Sequence, residues 1–228
     1  MNVLITSGGT TEKIDRVRGI TNHATGKLGS IMAKIFLDQG NRVTLVTTAR
    51  AIKPSDHENL TIYLVSDVAS LKETLEPLVK THDVIIHSMA VSDYSPIYMT
   101  DFETARNSSD LALFLNQENT EAKIASSSDY QVLFLKKTPK LISHIKLWNP
   151  DILLVGFKLL VDVPKDELFS VARASLKRNQ ADYILANDLT EIDAKSHHAY
   201  LLTEDSAFEA NSKEEIAQLI YQKVVTHD

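Results

Sequence analysis

Apolar, β-rich runs alternate with amphipathic stretches along this chain, and that alternation restricts the fold more tightly than any single residue does. Strands are expected at Val3–Ser7, Arg42–Thr47, Thr61–Val65, Asp83–His87, Ile152–Phe157 and Tyr183–Ala186. Helical periodicity runs through Gly26–Gln39, Asp67–Lys80, Pro139–Trp148, Lys165–Lys177 and Ser212–Thr226. Strand, helix and strand in succession make βαβ units, whose strands lie parallel. The expected architecture is an α/β doubly wound, mostly parallel sheet with helices on both faces. Asp67 and Ser212 stand where N-caps stand, and Gly40 where a helix hands over to a strand. Two regions break the repeat. Residues 92–128 read as polar and irregular around one apolar run, Leu111–Leu115, and a loop of that length is expected to be a mobile flap. Ala199–Leu202 and Ala207–Ala210 read as a hairpin that extends the sheet antiparallel.

At 228 residues the chain is near the upper size for one hydrophobic core, so a single domain over residues 1–228 is expected. No segment approaches the roughly 20 consecutive apolar residues of a membrane span. The opening MNVLITSGGT has no basic region or cleavage signal, and a cytoplasmic location is expected. Cysteine is absent, which excludes disulfides, thiolate zinc sites and an enzymic cysteine nucleophile. The net charge of −6 argues against a nucleic-acid partner, because such surfaces carry a basic excess.

Six of the seven glycines, at positions 8, 9, 19, 26, 29 and 40, fall in the first 40 residues. Gly8 and Gly9 follow the first strand, where open α/β sheets bind ligands and where a missing Cβ lets backbone N–H groups approach an anion. A helix starting near Gly26 would aim free N–H groups at the same crevice, with Arg18, Asn22 and His23 beside it. SGGTTE lacks GxGxxG spacing, and TNHATGKLG lacks the first glycine of a Walker A loop. Turn-shaping alone is the structural alternative.

SGGTTEKIDRVRGITNHATGKLG closely resembles the GGTxExIDxVRxIxNxSSGKxG opening of phosphopantothenate-cysteine ligases. MAVSDYSP resembles AAVADxxP, Lys123-Ile124 the start of KIxS, NPDILLVGFKLL resembles NPDIxxVGFxxET, and ADYILAND resembles ADxIxAND. The blocks span nearly the whole chain and are similar to the stand-alone bacterial type. The resemblance implies a Rossmann-like fold, a homodimer, and a reaction of 4′-phosphopantothenate, L-cysteine and CTP with Mg2+ on the triphosphate. An acyl-cytidylate forms with release of pyrophosphate, and the cysteine amine then displaces CMP. This is one step of coenzyme A synthesis.

The resemblance also implies roles by position. Asn22 turns over the acyl-cytidylate and Arg18, Gly8 and Gly9 contact substrate. Lys123 meets the triphosphate as the acyl-cytidylate forms. The backbone of His87, Ser88 and Met89 approaches the nucleotide, as do Asp93, Asn149, Pro150, Asp151, Ile152 and Phe157. Each has a structural alternative: a turn asparagine at Asn22, a solvated loop lysine at Lys123, a turn cap at Asp93, a helix-to-strand connection at Asn149-Pro150 and a core ring at Phe157. The two family lysines that precede ADxIxAND fall on Ser175 and Asn179, so Lys177 is the substitute candidate for the phosphates. Rival readings are a nicotinamide-dependent reductase and a non-catalytic nucleotide-binding regulator. None of the seven tyrosines has lysine four residues on, as a short-chain reductase would.

Overall fold

The computed structural model describes residues 1–125, 127–193 and 196–227. Its centre is an eight-stranded sheet. Six strands run parallel: β1 (Asn2–Ser7), β4 (Arg42–Thr47), β5 (Leu60–Leu64), β6 (Val84–His87), β9 (Leu153–Leu160) and β10 (Tyr183–Asp188). Across the sheet they lie in the order β5-β4-β1-β6-β9-β10, and the antiparallel pair β11 (Ala199–Leu202) and β12 (Ala207–Ala210) continues beyond β10. The chain therefore leaves β1 toward one edge, returns, and builds outward from β6 toward the other. The boundary between β1 and β6 is the point where strand order reverses, and there the two crossover directions open a crevice at the carboxyl ends of the strands.

Both faces of the sheet's interior parallel strands are buried. Val3 and Ile5 of β1 face α1 (Lys27–Asp38) and α6 (Lys213–Val225), through Met32, Phe36, Ile216 and Ile220. Leu4 faces the other layer, built from α2 (Val68–Val79), α4 (Ile142–Trp148) and α5 (Lys165–Asn179). That two-sided burial is why these strands read as unbroken apolar runs. Asp67 caps α2 by accepting from Ser70 N at 2.8 Å, and Ser212 caps α6 by accepting from Glu215 N at 3.1 Å. Gly40 takes φ 76° just past α1.

The expected irregular region has more structure than its polarity suggested. β7 (Tyr94–Asp101) pairs antiparallel with β8 (Gln131–Lys137), with α3 (Phe102–Arg106) and a 3-10 turn at Leu111–Asn116 between them. Residue 126 lies outside the described residues. A second ribbon, β2 (Thr11–Lys13) with β3 (Gly19–Thr21), rises from the end of β1. Among the described residues no helix is long and apolar enough to cross a membrane.

Candidate active site

Gly8 leaves β1 with φ 82°, a left-handed conformation that favours glycine. Gly9 then forms a parallel bridge with Ala90. A Cβ on Gly9 would sit 2.4 Å from the carbonyl oxygen of Asn22, so only glycine lets the chain after β3 lie down on this turn. Asn22 is placed there as a consequence, and its Nδ2 donates to the Ala90 carbonyl at 3.4 Å. The same carbonyl accepts from Thr10 N at 3.1 Å. The amide of Asn22 thus stands exposed over the strand-order reversal, against the loop that follows β6. The helix that starts beside it, α1, has no side-chain cap at Gly26, and Thr25 Oγ1 accepts from Lys27 N at 3.3 Å at its first turn.

That loop, His87–Asp93, is stitched on both sides. Thr10 Oγ1 donates to Ser92 Oγ at 3.0 Å and accepts from Ser92 N at 2.9 Å. Thr138 Oγ1 donates to the Ser92 carbonyl at 2.6 Å, and Thr138 N to the Asp93 carbonyl at 2.9 Å. β6 ends at His87, opposite Gly156, while β9 runs on to Leu160. The overhang leaves a cleft of about 220 Å³ between Phe157-Lys158 on one side, the His87–Asp93 loop on another and the β8-to-α4 corner Pro139–Ile142 on the third. Asp93 and Lys140 form an ion pair at its rim. Lys158 lines the cleft, and its ammonium has no partner among the described residues. A larger groove of about 590 Å³ lies along the β7–β8 ribbon and reaches Ile14 at the end of β2.

Lys123 is held at the far tip of the β2–β3 ribbon. Asp15 Oδ2 accepts from Arg18 Nη2 at 2.6 Å and from Ile124 N at 3.2 Å, and Arg18 Nη2 also donates to the Ile124 carbonyl at 2.9 Å. Arg16 N donates to the Ala122 carbonyl at 3.1 Å. The residues on both sides of Lys123 are therefore anchored while its own side chain is exposed. The Arg18 guanidinium and its backbone N–H donors hold the Asp15 carboxyl well below the usual carboxylate range. Three strand pairs separate this tip from Asn22, roughly 10 Å of ribbon. Arg18, expected to contact substrate, is engaged through Nε and Nη2 by Asp15 and the Ile124 carbonyl, and so ties down the segment that carries Lys123.

The expected nucleotide residues divide between two ends of the sheet. His87, Met89, Asp93 and Phe157 line the cleft, and Ser88 lies beside them with its hydroxyl on the Thr6 carbonyl at 2.6 Å. Asn149, Pro150, Asp151 and Ile152 do not reach it. They precede β9 at its amino end, where Asn149 Nδ2 donates to the Val79 carbonyl at 2.9 Å and to the His82 carbonyl at 3.4 Å, and Ile152 is core. Strand Leu153–Gly156, roughly 13 Å long, stands between them and the cleft. Lys177 also lies at that opposite end, 2.8 Å from Glu204 near the β11–β12 turn. Ser175 and Asn179, the positions where a lysine pair was expected, are buried and bonded to each other at 3.1 Å. The corner missed by sequence reasoning is Thr138-Pro139-Lys140-Leu141, which repeats the polar, proline, charged, aliphatic order of NPDI. That order is the signal that could have found it.

A family model for the "DNA/pantothenate metabolism flavoprotein C-terminal domain" matches residues 1–120 and 108–227. The chain belongs to this family. Its curated relatives include the "Coenzyme A biosynthesis bifunctional protein CoaBC" of Thermococcus kodakarensis, 30% identical over 97% of this chain and 50% of the relative. The protein of the same name from Methanocaldococcus jannaschii is 29% identical over the same shares. The chain spans about half the length of these relatives. Among solved structures, the DNA/pantothenate metabolism flavoprotein from Streptococcus pneumoniae is 50% identical over 100% of both chains, with a TM-score of 0.96. A Cab2 variant in complex with phosphopantothenate-cysteine is 18% identical over 99% of this chain and 88% of its own, with a TM-score of 0.74, and shares the fold. The family's fold is thus the Rossmann-like sheet described above, with the glycine turn, Asn22 and the cleft all on its carboxyl edge.

Proposed function

We propose that this chain is a phosphopantothenate-cysteine ligase acting in coenzyme A synthesis. The observation that carries the reading is the meeting of Asn22 with the His87–Asp93 loop on the Ala90 carbonyl, which sets an exposed amide donor on the same loop that lines the cleft of about 220 Å³. The names of the full-length relatives support the pathway. In this reading a carboxylate oxygen of 4′-phosphopantothenate attacks the α-phosphorus of CTP and pyrophosphate leaves. The amine of L-cysteine then attacks the acyl carbon, loses a proton, and CMP leaves.

The chain's own groups fit these two steps. The Gly8-Gly9 backbone and the start of α1 suit an anionic group beside Asn22. Lys123, carried on its anchored segment, would meet phosphate charge in the first step. The Asn22 amide would donate to the oxyanion that develops on the acyl carbon in the second. Among the described residues no three His, Asp or Glu side chains form a metal-holding group. In this reading magnesium enters as part of the substrate, on the triphosphate. A mobile flap around residues 92–128, a cytoplasmic location and a homodimer belong to the same reading. The exposed Tyr94, Tyr130, Leu111, Leu113 and Leu135 around the β7–β8 ribbon support a second copy covering it.

The test is product formation. Purified chain with CTP or ATP, 4′-phosphopantothenate and cysteine, each omitted in turn, is assayed for pyrophosphate and, by mass spectrometry, for phosphopantothenoyl-cysteine. Pyrophosphate without cysteine and product only with all three is expected. Consumption of a reduced nicotinamide would favour the reductase alternative, and nucleotide binding without turnover the regulator.

A further inference from the structure

The His87 side chain is a polar group of the cleft whose hydrogen-bonding sense is dictated from behind. Its Nδ1 lies 2.9 Å from Thr6 Oγ1. Thr6 is fully buried, and its hydroxyl already accepts from Met89 N at 3.2 Å. That hydroxyl has a single proton, and the only acceptor it has among the described residues is His87 Nδ1. Were Nδ1 protonated instead, the hydroxyl would take two donors and leave its own proton orphaned in the core, an unpaired buried donor that costs stability. Nδ1 is consequently the acceptor. Burial also holds the imidazole neutral, with its pKa pushed down to about 4. The ring's one proton then resides on Nε2. That atom has no protein partner among the described residues and is not sealed from solvent, and the cleft is where His87 meets solvent.

We infer that His87 Nε2–H is a fixed hydrogen-bond donor into the cleft, selecting an acceptor oxygen of the nucleoside, either a base carbonyl or a ribose hydroxyl oxygen, with Thr6 as the residue that sets its tautomer. The inference rests on the ligase reading above for the identity of the ligand. It gives the His87 side chain a role where the sequence resemblance implied only backbone contacts. A donor with no accepting capacity discriminates against a ligand that presents an N–H or an apolar edge at that point, because either leaves the Nε2 proton unpaired.

Two measurements test it. In protein labelled with nitrogen-15 at histidine, the imidazole signals of His87 at about pH 7 should report an unprotonated Nδ1 and a protonated Nε2, and Mg-CTP should shift the Nε2 signal. An Nδ1–H tautomer, or an Nε2 signal indifferent to CTP, overturns the inference. In steady-state assays His87→Leu should raise KM for CTP roughly 5- to 20-fold, the value of one lost hydrogen bond with an unpaired partner, and leave KM for cysteine unchanged. His87→Gln, which keeps a side-chain N–H of similar reach, should recover part of the loss. Thr6→Val should fall between the two and lose the single-tautomer signature. With 2′-deoxy-CTP, disappearance of the His87→Leu penalty assigns the ribose oxygen, and its persistence assigns the base carbonyl. A folded His87→Leu protein with unchanged KM for CTP overturns the inference. Absence of ligation in the parent chain would instead fail the ligase reading, and the nuclear magnetic resonance titration would still decide whether Nε2–H meets a nucleotide.

Discussion

Asn22 illustrates how little of a residue's role its type conveys. As an asparagine after a short strand it is an ordinary turn residue; what distinguishes it is Gly9, whose missing Cβ admits the Asn22 backbone, and Ala90, whose carbonyl orients the amide. Asn22→Asp keeps the size and removes the donor. It is expected to slow acyl-cytidylate breakdown on the order of 10²-fold, with little effect on its formation, so intermediate should accumulate in a single turnover followed by mass spectrometry. Equal loss in both steps would remove Asn22 from the second. His87 carries a stability prediction as well. Its folded pKa, about 4, lies below the ordinary 6.5 because burial penalises the charged ring. The unfolded chain then binds the extra proton between those values, so stability is full above about pH 6.5 and falls as pH drops toward 4. The contribution is on the order of 3 kcal/mol for this one group. Thermal melting across this window should show a steeper decline for the parent than for His87→Gln, and parallel curves would argue against it.

At the scale of elements, the ribbon β2–β3 acts as a bracket between the sheet and the segment around Lys123. Lys123→Gln should slow pyrophosphate release without cysteine on the order of 10²-fold and leave hydrogen exchange of residues 120–125 unchanged. Arg18→Lys keeps the charge, but loses the planar fork that holds Asp15 and the Ile124 carbonyl together. It should slow the same step and, unlike Lys123→Gln, accelerate amide exchange in that segment; unchanged exchange would show that the bracket is not what anchors it. A second junction joins β9 to β10. Asp188 accepts from Asp162 N, Val163 N, Thr190 N and Thr190 Oγ1 at 2.6–3.0 Å, and these donors hold its carboxyl well below the usual carboxylate range. Its contribution is full above the ordinary carboxylate pKa and is lost progressively as pH falls from there through the depressed folded value. Asp188→Asn should lower the melting temperature by roughly 3–8 °C near neutral pH.

At the scale of the molecule, the cleft opens at the carboxyl edge of the parallel strands, whereas Asn149 braces the amino edge. Asn149→Ala should therefore destabilise the fold by about 1–2 kcal/mol, through two lost bonds to the Val79 and His82 carbonyls, and leave KM for CTP unchanged. A raised KM with an unchanged melting temperature would return Asn149 to the nucleotide. The parallel strands, their helices, Asp67, Ser212 and the closing hairpin were legible because each is set by its own pattern: strands buried on both faces must be apolar throughout, and caps are local bonds. β7 and β8 were less legible, since YSPIYMTD carries a proline and half-exposed positions, and a two-stranded ribbon with one wet face shows no continuous apolar run. The motif blocks named Gly8, Gly9, Asn22, His87, Asp93 and Phe157, all of which meet near one crevice. Local order alone does not say which end of a strand a proline turn occupies once the crossovers are made. The sequence by itself thus determined the layered sheet and the glycine turn on which Asn22 rests. Only the tertiary structure decided that Pro139-Lys140 rather than Pro150-Asp151 borders the cleft, that Arg18 is held by Asp15, and that Thr6 sets the His87 proton, because each depends on contacts between segments far apart in the chain.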